Sequence, residues 1–402
     1  MEATIREVSA KLIRDSEDKN TIETTVEIDN GVKGIFAVPS GESTGGYEAF
    51  LLDPEKAVFL INTQLRNILV GKSFQPQGLD EFLISTDGSL TKSNFGANTI
   101  LSISVAFFKA LANLSQTPLY QLIQQYANIT STTSFKIPRL MVNIIEGGKH
   151  APGSIDFQEF LLLPKSDNVQ KGVSEAKEVI EKLKVKFPQN IAQGMEGGLC
   201  IKGFETNEEA LRSFVDVANE VGKDSFDISL DVAANSFKTG GEYLLKGSPA
   251  PLSTQEMINF YSKLVNEYPV YSIEDPFSED EWSGWESLHT AVRGKTKLIG
   301  DDLTVTNLQR LEEALKIGAI DGIIVKPNQI GTLSETLKVV KRAKEHGLLV
   351  IVSHRARETM DDFIVDLAVG LGADFLKAGA PTQPQRLAKY QRLSAIQAEI
   401  TN

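Results

Sequence analysis

An α/β chain, with a (β/α)8-type barrel behind a smaller α+β domain, is what this sequence predicts, and three observations carry the prediction. First, between Asp231 and Lys377 a short apolar run that stops at a polar residue recurs six times, as DISLD, VYSIED, KLIGDD, GIIVK, LVIVSHR and ADFLK. Second, the polar ends are evenly paced. They fall at Asp231, Glu274, Asp301, Lys326, His354 with Arg355, and Lys377, spaced 43 and then 27, 25, 28 and 23 residues apart. Third, the intervening stretches, such as NLQRLEEALKIG and LSETLKVVKRAKEHG, place apolar residues three and four apart, as an amphipathic helix does. Strands and helices alternating at this pace form βαβ units on a parallel sheet. An open doubly wound sheet also alternates, but a closed barrel gathers successive C-terminal strand ends at one mouth. One such residue alone reads as a helix cap or a solvated loop charge; six in register read as a site.

The chain ahead of the barrel divides in two. Residues 3–39 alternate apolar and polar side chains in three bouts, around IREVSAKLI, TIETTVEI and GIFAVPS, separated by SEDKN and DNGVKG. That is an antiparallel meander. From Pro54 the period turns helical, through EKAVFLINTQLRNIL and NTILSISVAFFKALANL. Meander plus helices make an α+β domain over residues 1–133. The polar tract NITSTTSFK at 128–136 reads as the linker, and Pro138 opens a barrel domain over 134–402. Between meander and helices, SGESTGGYEAF at 40–50 has glycines able to cradle a phosphate but lacks the Gly-Lys-Ser/Thr ending of a nucleotide loop.

Size and charge narrow the function. A barrel of this kind takes about 250 residues, so a 402-residue chain leaves room for the second domain. The net charge of −12 argues against nucleic-acid and anionic-membrane partners. A small anionic substrate stays compatible, since a local cluster of lysine, arginine and metal overrides the global sign. The single cysteine, Cys200, forms no internal disulfide, and the N-terminus has no apolar core of signal-peptide length. No run is expected to span a bilayer. The expectation is a cytoplasmic protein.

At the barrel mouth, Asp231, Glu274 and Asp301 bring three carboxylates together, which calls for a cation. Oxygen-only ligands favour a hard ion, and a site open to substrate and water suits Mg²⁺ better than Ca²⁺. Lys326 shares the mouth and Lys377 enters from the far side. A lysine beside a metal and another cation loses its proton readily and serves as a general base. Metal plus lysine is the arrangement for removing a proton next to a carboxylate.

Earlier in the chain, IPRLMVNIIEGGKHAPGSIDFQEFLLLP places two apolar strands around a glycine-bearing loop with His150. His289 and His346 lie in charge-rich helical stretches and are expected at the surface. In QNIAQGMEGGLC, Glu196 sits among glycines, ordinarily a turn.

The strings SLDVAANSF, SIEDPFSEDEW, IGDDLTVTN, VKPNQIGTLSET, VSHR and LKAGAP resemble the corresponding segments of the enolase family, and the similarity extends over nearly the whole chain. The resemblance implies reversible dehydration of 2-phosphoglycerate to phosphoenolpyruvate. By it, Lys326 is the base, Glu196 the general acid with Glu159 and His150 nearby, and Asp231, Glu274 and Asp301 the Mg²⁺ ligands. A second Mg²⁺ is completed by substrate and by Ser43 in the SGxSTG-like lid. Lys377, Arg355, His354, Ser353, Ala356 and Gln158 line the substrate, with Arg355 on the phosphate. A homodimer or higher homo-oligomer is also implied, although SEDKNTI at 16–22 replaces the SRGNP string of the family's dimer contact. Four departures fall in loops lining the expected site. Met195 replaces the Asp before the acid glutamate, Ala356 the Ser after the arginine, Glu42 a small lid residue, and Glu146 the Asn before Gly-Gly-x-His. The two added carboxylates are expected to oppose an anionic ligand. Two alternatives stay open: another hydroxy-acid dehydratase of the wider superfamily, and a non-catalytic binding protein on the same fold.

Overall fold

The computed structural model describes residues 1–41, 45–128 and 135–401. The alternation near the N-terminus folds as expected. Strands β1 (Ala3–Arg14), β2 (Asn20–Ile28) and β3 (Lys33–Ala37) form an antiparallel meander, and β4 (Ser73–Phe74) adds to the free edge of β1. Ile5, Val8, Ile22, Val26 and Ile28 point to one face and are fully buried. That face packs on the helix Ala97–Ser115. By length and composition alone this helix could cross a membrane, contrary to the expectation of no such run; here 83% of its apolar window is buried inside the protein. The expected domain boundary at 133/134 lies outside the described residues.

Eight strands close the barrel: β5 (Arg139–Glu146), β6 (Glu159–Pro164), β9 (Phe226–Asp231), β12 (Val270–Glu274), β13 (Lys297–Gly300), β14 (Gly322–Val325), β15 (Leu349–Ser353) and β16 (Phe375–Lys377). Closure is parallel, Lys377 pairing with Met141. All six apolar runs are barrel strands, and side-chain caps open three of the helices between them, at Ser253, Asn307 and Thr332, as Thr206 does for the helix ahead of the first. One strand runs against the rest. β6 is antiparallel to both β5 and β9, because the loop between β5 and β6 contains no helix to carry a parallel crossover. Two short hairpins hang on this frame. β7 (Ile191–Gln193) and β8 (Leu199–Ile201) attach to β5 through Ile145 and Leu199. The other, β10 (Lys238–Thr239) with β11 (Glu242–Tyr243), accounts with the helix Thr254–Glu267 for the wide first spacing of 43.

The barrel interior is filled by Met141, Leu161, Leu163, Ile299, Ile324, Ile351 and Phe375, separate from the larger core between strands and helices. Contacts then bind the first domain across the mouth. Lys109 reaches Asp361 at 2.7 Å, Arg357 reaches Asp15 at 2.8 Å, and Ser40 pairs through its backbone with Arg357. Replacing Ile324 with Ala empties a fully buried position in the barrel centre. Denaturant unfolding should show a loss of about 2–5 kcal/mol with the far-UV spectrum retained.

Candidate active site

Strand register places the charged groups. Through successive pairings Glu146 meets Glu159, Glu159 meets Asp231 and Asp231 meets Glu274, so one row of four carboxyl residues crosses four strands at the mouth. Next to it opens a narrow cavity. His150, Gln158, Glu159, Glu196, Asp231, Lys326, Ser353, His354, Arg355, Ala356 and Lys377 all line it, together with Gly41. Ser43 and Glu42 lie outside the described residues.

Two lysines divide the carboxylates between them. Lys377 Nζ is 2.8 Å from Asp231, 3.0 Å from Glu274 and 3.3 Å from Glu159. Lys326 Nζ pairs instead with Asp301 Oδ2, whose other oxygen accepts from Gln329 Nε2 at 2.9 Å. The three expected metal ligands are thus shared between two ammonium groups. Burial works to lower the Lys377 pKa, but Asp231, Glu159 and Glu274 outweigh it and hold the ammonium well above its usual value. Burial likewise works against a charged Lys326, and Asp301 outweighs it, so Lys326 is raised. The carboxylate at contact distance decides the balance, whereas the expectation set the lysine beside a metal ion.

The acidic residues outnumber the cations here. Burial and then repulsion from Asp231 push the Glu274 carboxyl well above the carboxylate range. Asp275 accepts from the backbone N–H of Asp301 and Asp302, and ligand oxygens of these three residues lie within 4.8 Å of one another. Clusters of oxygen donors short of positive charge are compatible with a metal ion, and the chemistry of the donors fits a hard divalent cation.

Two histidines and two carboxyls stand close together in the same cavity. His354 Nε2 lies 3.2 Å from Glu196 Oε2, His150 Nε2 lies 3.7 Å from Glu196 Oε1, and His150 Nδ1 lies 3.5 Å from Glu159 Oε1. Burial drives His354 down to about 4 and also lowers His150. Burial pushes Glu196 up, but His354 and His150 outweigh it and hold that carboxyl well below the usual range. Glu159 goes the other way, raised well above by burial and by the charge of Glu196. Burial and the charge of Glu196 thus act on Glu159, and the two histidines act on Glu196, with His150 between the carboxyls. Carboxyls pushed apart in this way divide acid and base roles.

Arg355 is buried, and both terminal nitrogens lie within 3.2 Å of Glu48 Oε2. Arg386 fixes the loop behind it, donating to the carbonyls of Arg355 and Ala356 at 2.7 Å and contacting His354 Nδ1. The described end of the lid is strapped to the barrel: Gly46 N–H donates to Glu279 and Tyr47 Oη to Asp280. Glu146 does not face the cavity as expected. It turns away and accepts backbone N–H groups from the Glu196 turn. His346 is exposed as expected, whereas His289 is half-buried against Asp321.

Sequence reasoning missed Asn143, Glu48, Gln329 and Arg386. Asn143 donates to Glu196 Oε2 at 3.3 Å, and its own Oδ1, like Gln158 Oε1, is buried without a hydrogen-bond partner among the described residues. A polar residue inside the apolar run MVNII was its signal. Arg386 gave none, since an arginine on a polar C-terminal helix reads as solvated.

Residues 5–123 match the family model described as enolase, N-terminal domain, and residues 134–402 match that described as enolase, C-terminal TIM barrel domain. Such domains suggest a lyase-type enzyme. With both halves matched in order and the barrel closed around an acidic mouth, the chain belongs to the enolase family.

Proposed function

We propose that this protein catalyses the reversible dehydration of 2-phospho-D-glycerate to phosphoenolpyruvate with Mg²⁺, in the cytoplasm and as a homodimer or higher homo-oligomer. The observation that carries the reading is that Lys326, Lys377 and the Glu159, His150 and Glu196 set all line one cavity. Lys326 takes the proton from the carbon next to the substrate carboxylate, and Lys377 lies where negative charge then gathers. The acid set returns a proton to the hydroxyl on the neighbouring carbon, so that a C–O bond breaks and water leaves. Arg355 offers a planar fork to the phosphate. Asp231, Glu274 and Asp301 would hold Mg²⁺, with Ser43 assigned to a second ion completed by substrate, and the bound ion supplies charge that steadies the carboxylate dianion. A cation held by Asp301 would weaken that carboxylate's hold on the Lys326 proton and so favour the lysine as base. A dehydratase for an unphosphorylated hydroxy acid has no use for a buried Arg355 in the same cavity.

Product formation followed by ultraviolet absorbance tests the proposal. Wild-type protein should form phosphoenolpyruvate with Mg²⁺ and not with chelator, and Lys326→Ala should lower turnover by about 10²–10⁴-fold or more with folding intact. Chelator-resistant turnover, or an active Lys326→Ala, would remove these roles.

Lys377→Met tests the charge cluster separately. It leaves Asp231, Glu274 and Glu159 without their shared cation, and metal-free protein should lose about 3–5 kcal/mol in denaturant unfolding. Added Mg²⁺ should restore part of that loss.

A further inference from the structure

The turn that carries Glu196 is built around Glu146. This residue ends β5, is fully buried, and does not line the cavity. Its Oε2 accepts from the backbone N–H of Glu196 at 3.1 Å and its Oε1 from that of Gly198 at 2.6 Å. The turn wraps the carboxylate closely. A Cβ at position 194 would fall 2.2 Å from Oε2, and one at 198 would fall 2.8 Å from Oε1, so both glycines are required by the approach. Behind it, Ser154 Oγ donates to the Glu146 carbonyl at 3.3 Å. The register completes the placement: Glu146 pairs with Glu159 on one side, and its neighbour Ile145 pairs with Leu199 on the other. It therefore sits between the two strands that deliver the acid carboxyls. The adjacent Met195 brings no charge of its own to the turn.

We infer that Glu146 is a positioning residue, whose carboxyl group clamps the 194–198 turn through two backbone N–H groups and so aims Glu196 into the cavity. It touches no substrate and acts through Glu196. Two N–H groups, each held by its own carboxyl oxygen, fix the turn at two points. A carboxamide at this position offers a single oxygen and turns an NH₂ toward one of the two donors. Burial, and then the charge of Glu196, pushes the Glu146 carboxyl up to about 8 against these two bonds. The inference rests on the acid role given to the Glu196 set above.

The test compares wild type with Glu146→Gln and Glu146→Ala by three readouts. Amide hydrogen exchange of the substrate-free protein should show Glu196 and Gly198 losing protection by about 10-fold or more in Glu146→Ala, with the barrel strands unchanged. The kcat for dehydration should fall about 100-fold in the same variant, the cost of misplacing a reacting group by about an ångström. KM should stay within about twofold. Exchange of the C2 hydrogen of 2-phosphoglycerate with deuterated water needs Lys326 but not the Glu196 set, and should persist within about threefold. Glu146→Gln, which keeps the volume and one hydrogen bond, should fall between wild type and Glu146→Ala on every scale. Unchanged amide protection, or C2 exchange falling in parallel with dehydration, would overturn the inference. A wild type that neither dehydrates nor exchanges 2-phosphoglycerate would overturn the proposed reaction instead, and the clamp would then stand or fall on the two amides.

Discussion

Three carboxylates, Asp231, Glu274 and Glu159, converge on the ammonium of Lys377 at the mouth of the barrel, and much of the surrounding structure exists to make that convergence tolerable. Ionised groups taken out of water are expensive unless their partners are close and well oriented. The barrel supplies the orientation: adjacent strands in fixed register bring Glu159, Asp231 and Glu274 side by side without a flexible loop intervening. A second lysine, Lys326, takes Asp301 out of the same cluster. Acidic groups still outnumber the lysines, and such a cluster of oxygen donors is compatible with a metal ion.

Behind the cavity a further ring of buried polar groups holds the loops still. Asp275 gathers the backbone N–H groups of Asp301 and Asp302, Gln329, itself held by the Thr306 hydroxyl, braces Asp301, and Glu358 pairs with Lys389 at 2.6 Å. The backbone is left-handed at Asp275, Val305 and Thr306, with φ of 44°, 41° and 52°. Strain of that kind persists only where the surroundings over-determine it, and here it sits directly beside the acidic cluster. Arg386 performs the same service for the loop bearing His354, Arg355 and Ala356.

Much of the barrel was legible because its signal is repetitive. Each apolar run ends at the layer where chemistry happens, so six strand ends could be placed from spacing alone, and all lie on barrel strands or immediately after them. The reversed β6 was not legible as reversed, since an apolar run looks the same in either direction and only the absence of a helix after Glu146 marks it. Residue type identified Lys326 but not its proton, which depends on the short approach of Asp301. The direction of Glu146 was likewise hidden: nothing in GluGlyGly says whether the carboxylate faces the cavity or the turn of another hairpin. Buried charges such as Arg386 and Lys389 escape sequence reading because amphipathic helices place most such residues in water.

The central claim is that Asp301 gives up Lys326 when the cluster receives its missing positive charge. Anomalous diffraction from crystals grown with Mn²⁺ in place of Mg²⁺ tests it most directly. The account predicts an ion bound jointly by Asp231, Glu274 and Asp301, with the Lys326 ammonium moved off Asp301 and into the cavity. An ion seated on Asp275 and Asp302 instead, or one on the predicted ligands with the Lys326–Asp301 pair intact, would contradict it.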